Sequence, residues 1–276
     1  MRFGVVSTTA LAVAICLGVA NFSRGAAVVL PGGSSVEGKT IGQWTADWWN
    51  WAGSVQGNVF ADPDGSLADE NQSGPVWFVA GTQSGTHTRN FQVPGDKYVL
   101  FPLVNWVVAN GADPGFASTA EEAEALTTGT IDPANLIANI DGEDVVDLAS
   151  HRERSPVNFN FTVVEGSGVF GATGTFADAN SDGYWLMLEP LGEGSHVLRF
   201  GGTTTDYTGP DPAITIPSFS VDVTANVTVP GAGPGPTPIP LPPAALAVLP
   251  VVAFAGAGRA IRFAKSRRRG RRLPGT

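Results

Sequence analysis

The chain has 276 residues, a formal charge of −9 and a single cysteine. Ten of its 16 basic residues lie outside positions 26–229, which leaves that middle stretch six basic residues against 25 acidic ones, a net charge of −19. A surface of that sign repels phosphate backbones and anionic lipid, which argues against nucleic acid as a partner and leaves cations and neutral sugars.

Residues 1–25 have the layout of a signal peptide. Arg2 precedes an apolar run from Val5 to Ala20, and Ser23 and Gly25 place small residues at −3 and −1 for a cut before Ala26. The run is shorter than the roughly 20 residues a bilayer span requires. Cys16 sits inside it, behind Ile15, where a lipoprotein cut wants a small residue. Removal of this segment leaves no cysteine, and so no disulfide, no thiolate chemistry and no zinc site built on Cys. About 200 residues remain at positions 26–229, enough to bury roughly 70% of the unfolded surface in a core.

Along that stretch, Gln43–Gly53 (QWTADWWNWAG) reads as a helix, with Trp44, Trp48 and Trp51 at i, i+4 and i+7 on one face and Trp49 to the side. Val76–Ala80 and Tyr98–Val108 are apolar, aromatic and β-branched runs that read as strands. Between Ser118 and Ile140 the sequence predicts helix twice: a capping box of Ser118 and Glu121 ahead of AEEAEAL, and Asp132-Pro133 leading into ANLIANI. Val157–Val164, Tyr184–Leu188, Ser195–Phe200 and Ser218–Val229 read as further strands. Turn residues separate these elements at Pro94–Asp96, Asp141-Gly142, Asp182-Gly183, Leu191–Gly194 and Gly201-Gly202. Many short strands with few helices predict a mainly β domain, an antiparallel β-sandwich or jelly roll, at 26–229.

Candidate chemistry is sparse. Asp178, Asn180, Asp182 and Gly183, with Glu189 at the twelfth position, match a calcium-loop pattern. A strand over Tyr184–Leu188 carries Glu189 roughly 23 Å from Asp182, too far to close the coordination sphere. Two readings remain: a weak calcium site on Asp178, Asn180 and Asp182, or a polar hairpin turn. A second acidic loop, Asp62-Pro63-Asp64-Gly65-Ser66 with Asp69 and Glu70 nearby, has its glycine too early for calcium and reads as solvated. His87, His151 and His196 have no second histidine at ligand spacing, and His196 shares a strand face with Leu198 and Phe200. Gly166-Ser167-Gly168 lacks the spacing of a nucleophile elbow. Trp48 and Trp49 are the best candidates for stacking against sugar rings, because neighbouring helix positions do not both face one core. Core packing is the competing reading for all seven tryptophans.

From Pro230 the composition changes to PGAGPGPTPIPLPP, seven prolines and three glycines in fourteen residues. An extended spacer of roughly 40 Å follows from that composition. It is read as a stalk over 230–240, followed by an 18-residue apolar stretch, Leu241–Gly258, predicted as a transmembrane helix, and a basic tail at 259–276. Eight basic residues between Arg259 and Arg272 predict a cytoplasmic C-terminus. An ordinary C-terminal anchor fits this layout. It also resembles a PEP-CTERM (exosortase) sorting signal, in which a Pro-rich motif precedes a short helix and an Arg-rich end. The motif here is Ile239-Pro240-Leu241-Pro242-Pro243, with Leu241 where that family usually has Glu.

Four segments, Gly74–Thr82, Val93–Asn105, Ser155–Phe161 and Asp182–Gly202, together with the Trp-rich start, resemble a family of secreted bacterial proteins without an assigned activity. The resemblance runs from about Gly42 to Val229 and implies a fold, not a reaction. Members carry cysteines near the positions of Ala68 and Phe91, so the resemblance implies that any family disulfide is missing here. The expectation is an exported, non-enzymatic envelope or extracellular-matrix protein, anchored transiently or permanently by its tail. Its partners would be the inner membrane, a sorting protease and surface polysaccharide. The alternative is a secreted carbohydrate-active enzyme with paired carboxylates that sequence does not single out.

Overall fold

The computed structural model describes residues 27–111, 116–209 and 215–231. The signal segment at 1–25 and the predicted stalk, span and basic tail lie outside them, apart from Pro230 and Gly231. Among the described residues no helix is long and apolar enough to cross a membrane.

The chain is mainly β. A ribbon of β1 (Ser35–Val36) and β2 (Lys39–Thr40) leads into helix α1 (Ile41–Ser54). Then come β3 (Val76–Phe78), β4 (Gly85–Gln92), β5 (Tyr98–Asn110) and helix α2 (Ala120–Thr130). β6 (Ile131–Ile140), β7 (Glu143–Asp144), β8 (Arg152–Arg154) and β9 (Phe159–Val163) follow. β10 (Gly174–Leu188), β11 (Gly194–Thr204), a second ribbon of β12 (Tyr207–Thr208) and β13 (Thr215–Ile216), and β14 (Ser220–Val229) complete the described chain.

Two five-stranded sheets form, β3-β5-β10-β8 with β9 also on β10, and β4-β14-β11-β6-β7. Their facing sides share one core, in which Val99, Phe101, Leu186 and Leu188 meet Leu198, Phe200, Val223 and Ala225. The Phe101 and Phe200 rings lie 4.5 Å apart. Period-2 alternation explains how DGYWLML serves two layers: Tyr184, Leu186 and Leu188 face the second sheet, while Trp185 and Met187 face α1. This arrangement is consistent with a β-sandwich, with α1 as a third layer. It is not wholly antiparallel, because β3–β5 and β4–β14 are parallel pairs. The chain crosses from the first sheet to the second between β3 and β4, and that crossover permits both pairings.

Helix α1 appears as the sequence predicts, closed by a capping box: Thr40 Oγ1 accepts from the Gln43 N–H, and Gln43 Oε1 accepts from the Thr40 N–H. It lies close on the strands because Gly42 and Gly53 are bare. A β-carbon there would collide with the carbonyl oxygens of Arg154 and Thr162 respectively.

Three expectations are corrected. The cap of α2 is Thr119, whose Oγ1 accepts from the Glu122 N–H at 3.1 Å, while Ser118 donates to Asn110 instead. Asp132-Pro133 does not start a helix. Ile131–Ile140 is a strand against β11, with Leu136, Ala138 and Ile140 buried at alternate positions, and Asp132 accepts from the Ala134 N–H as a local turn. Tertiary pairing overrides the cap signal here. Finally, Asp182-Gly183 and Gly201-Gly202 are interior strand positions and not turns. Gly183 lies across from Asn105, whose Cα a β-carbon would strike. Ala68 and Phe91 line one small cavity with Arg89.

Candidate functional site

Trp48 and Trp49 are not an exposed stacking platform: they are 0% and 5% exposed. The helix is covered on more than one side, so adjacent positions are both buried. Trp48 packs against Trp185 and donates Nε1–H to the Val79 carbonyl at 3.0 Å. Trp49 packs against Phe161 and Phe170 and donates to Ser181 Oγ at 3.1 Å. Trp44 and Trp51 donate to the carbonyls of Val36 and Glu70.

Asp178, Asn180 and Asp182 lie inside β10 and not in a hairpin turn. A register shift between Ala177 and Asn180 bulges the strand, with Asp178 at φ 51°. Asn180 is buried and holds Asn158 and the Ser118 carbonyl. Asp178 accepts from Asn110 at 2.7 Å. Asp182, 1% exposed, is gripped by arginines: Arg152 donates Nε–H to Oδ1 at 2.8 Å and Nη2–H to Oδ2 at 2.7 Å, and Arg154 Nε lies 3.2 Å from Oδ2. The Asp182 hydrogen bonds also raise the Arg152 pKa above its ordinary value. These oxygens face protein donors, and among the described residues no group of three or more His, Cys, Asp or Glu gathers as a metal site.

Other buried acids are likewise tied to the fold. Asp62 is buried, against the expectation of a solvated loop, and accepts from the Gly65 and Leu67 N–H groups at 3.1 Å each. Glu153 accepts from the Gly33 N–H at 2.5 Å, and burial raises its pKa despite that bond. Asp141 accepts from the Val197 N–H and lies 2.6 Å from His196 Nδ1. His196 itself is buried on β11 beside Leu198 and Phe200, as expected, with Nε2 2.8 Å from the Gly192 carbonyl oxygen. His151 is buried and its Nδ1 has no partner among the described residues; burial lowers its pKa. His87 is half-buried on β4.

Two concavities remain. The first follows the free side of β5. β3 pairs only with Tyr98–Leu100, so β5 continues to Asn110 with no strand on that side among the described residues. Beside this edge lies a cleft of about 530 Å³, walled by half-buried aromatics that include Phe60, Trp106, Phe116, Phe170 and Phe219. Its few polar side chains are Thr82, Gln83, Asn105 and Ser218. The second concavity is more polar and about 920 Å³, with Asp69, Asn90 and Gln92 set beside Trp77, Phe91 and Pro230.

Comparison with family models, with curated proteins and with solved structures finds no match.

Both concavities therefore stand on geometry alone. Sequence reading did not find them, since the cleft draws on α1, Phe60, the β3–β4 crossover, β5, a loop at Val169-Phe170 and the strand lead-in at Ile216–Phe219. None of those pieces is a motif. The one usable signal was the length of β5: thirteen residues against a three-residue neighbour leave most of an apolar strand uncovered.

Proposed function

We propose that this chain is an exported, non-enzymatic component of a bacterial cell envelope, sorted to the surface or extracellular matrix by its C-terminal tail. The observation that carries the reading is the break at Pro230. β14, the last described strand, ends at Val229, and in the sequence the Pro/Gly run, the apolar stretch Leu241–Gly258 and the basic cluster follow at once. A cysteine-free unit of charge −19 between two basic, apolar ends suits export to a site where it faces polar polymer. The non-enzymatic part is supported by the buried acids, which hold backbone N–H groups, arginines or a histidine and are not left free in a cleft. Surface polysaccharide is the proposed partner, now at the polar concavity of Asp69, Asn90 and Gln92 and not at Trp48 and Trp49.

The test is expression of the full chain in a host with and without its sorting protease, followed by fractionation and terminal sequencing. Mature protein beginning at Ala26, cut near Ile239–Pro243 and moved outward only when the protease is present supports the proposal. An intact tail held at the inner membrane in both strains leaves an ordinary anchor and overturns the sorting step. Titration of the mature protein with the host's own polysaccharide then tests the partner. Binding should fall at least tenfold in an Asn90→Ala/Gln92→Ala variant; absent binding removes the sugar, and release of reducing ends replaces the reading with an enzyme.

A further inference from the structure

We propose that the cleft along the free edge of β5 is a binding site for a neutral, mainly apolar small molecule. The inference does not depend on export or sorting. At about 530 Å³ the cleft has the size of ordinary small-ligand sites, roughly 300–1,000 Å³. It lies where three separate apolar clusters meet: Phe60 and Phe170 belong to the layer under α1, Phe219 to the core between the sheets, and Phe116 to the patch around α2. Folding has brought these clusters together without closing the space between them.

The lining sets the ligand's chemistry. No charged side chain stands among the described lining residues, so nothing there stabilises an ionic headgroup. Thr82 already donates its hydroxyl to the Ser84 carbonyl at 3.0 Å. Asn105 also lines the cleft, but its Nδ2 is buried behind the wall and does not open on the free space. Water fills such a space poorly, because it needs two to four polar partners and the walls are largely aromatic and aliphatic.

An extended peptide adding to β5 is the competing occupant. Pro102 has no N–H to give, and Leu103 is an extra residue between Pro102 and Val104 in the pairing with β10. Proline and a bulge are the usual devices that keep an edge strand from recruiting another. The edge is therefore built against strand addition, while the side-chain walls stay open.

The test uses the full chain in lipid nanodiscs, titrated with the neutral dye N-phenyl-1-naphthylamine while tryptophan emission is followed, with empty nanodiscs as background. Trp49 and Trp106 line the cleft and report occupancy. Saturable quenching at one dye per chain is expected, weakened at least tenfold in Val107→Trp, which fills the cleft from β5. Ser218→Trp narrows it from an exposed position and guards against misfolding of the first variant. Equal quenching in the parent and both folded variants overturns the site. Saturable competition by a synthetic peptide of alternating Val and Thr, but by no small molecule, also overturns it in favour of strand addition. Mass spectrometry of an organic extract then separates a free small molecule from the chain of a membrane lipid as the natural source.

Discussion

Arg89 is 2% exposed, yet its guanidinium spends its donors on backbone alone. Nε–H goes to the Asp62 carbonyl, Nη1–H to Ala80, and Nη2–H is shared among Val59, Phe60 and Gly81. Burial lowers its pKa, and the Asp62 carboxylate nearby partly offsets this. One side chain thus ties the loop after α1 to the β3–β4 crossover, a task that needs a planar fork of donors. Lysine has a point charge and three donors, so Arg89→Lys should destabilise the protein by about 3–5 kcal/mol, read as a fall in urea midpoint. Glu153 makes a prediction of the opposite sense. In the unfolded chain it ionises near its ordinary value of 4.5, while burial holds the proton to higher pH in the fold. Between those two values the folded state binds more protons, so stability falls as pH rises through the window and the loss is complete above it. Glu153→Gln keeps an oxygen for the Gly33 N–H and removes the charge. Its urea midpoint should exceed the parent's at pH 7 by more than at pH 4. His151 tilts the background the other way, since its lowered pKa costs stability as pH falls below 6.5.

Among the elements, α1 was the most legible and β6 the least. The tryptophan spacing of α1 reports one helical face, and the helix forms where that face meets Phe60, Phe78 and Trp185. In Ile131–Ile140 two signals compete: Asp-Pro is a good helix start, but Leu136, Ala138 and Ile140 are also alternate residues of a strand. β11 decides, offering a ladder that a local cap cannot match. β10 misled in the same way. Its Asp and Gly look like a turn because their partners, Asn105 on one side and Glu153 on the other, lie 78 and 30 residues away in sequence. Burial of Trp49 was hidden for a related reason, because Phe170 and Ser181 approach it from a distant segment. Close approach leaves one testable mark on α1. In an exposed helix Gly→Ala gains about 1 kcal/mol, but Gly53 faces the Thr162 carbonyl oxygen. Gly53→Ala should therefore lose about 1–3 kcal/mol through forced separation of α1 from β9, seen as a lower thermal midpoint.

At the scale of the whole described unit, the two large apolar clusters are not independent. β5 gives Val99, Phe101 and Leu103 to the core between the sheets and Leu100 to the layer under α1, and β10 divides Leu186 and Trp185 in the same way. Neither layer can open without exposing the other through these shared strands. The buried tryptophans of α1 report one layer, while backbone signal is dominated by both sheets, so the two probes test that coupling directly. Urea unfolding followed by tryptophan emission and by far-ultraviolet circular dichroism should give coincident transitions with one midpoint. Emission that shifts at lower urea than the sheet signal would mean that α1 and its layer peel away first, leaving the two-sheet core as the separately stable part. Leu100→Ala discriminates further: it removes a side chain from the α1 layer alone, yet under full coupling it lowers both midpoints equally, by the equivalent of about 2–5 kcal/mol.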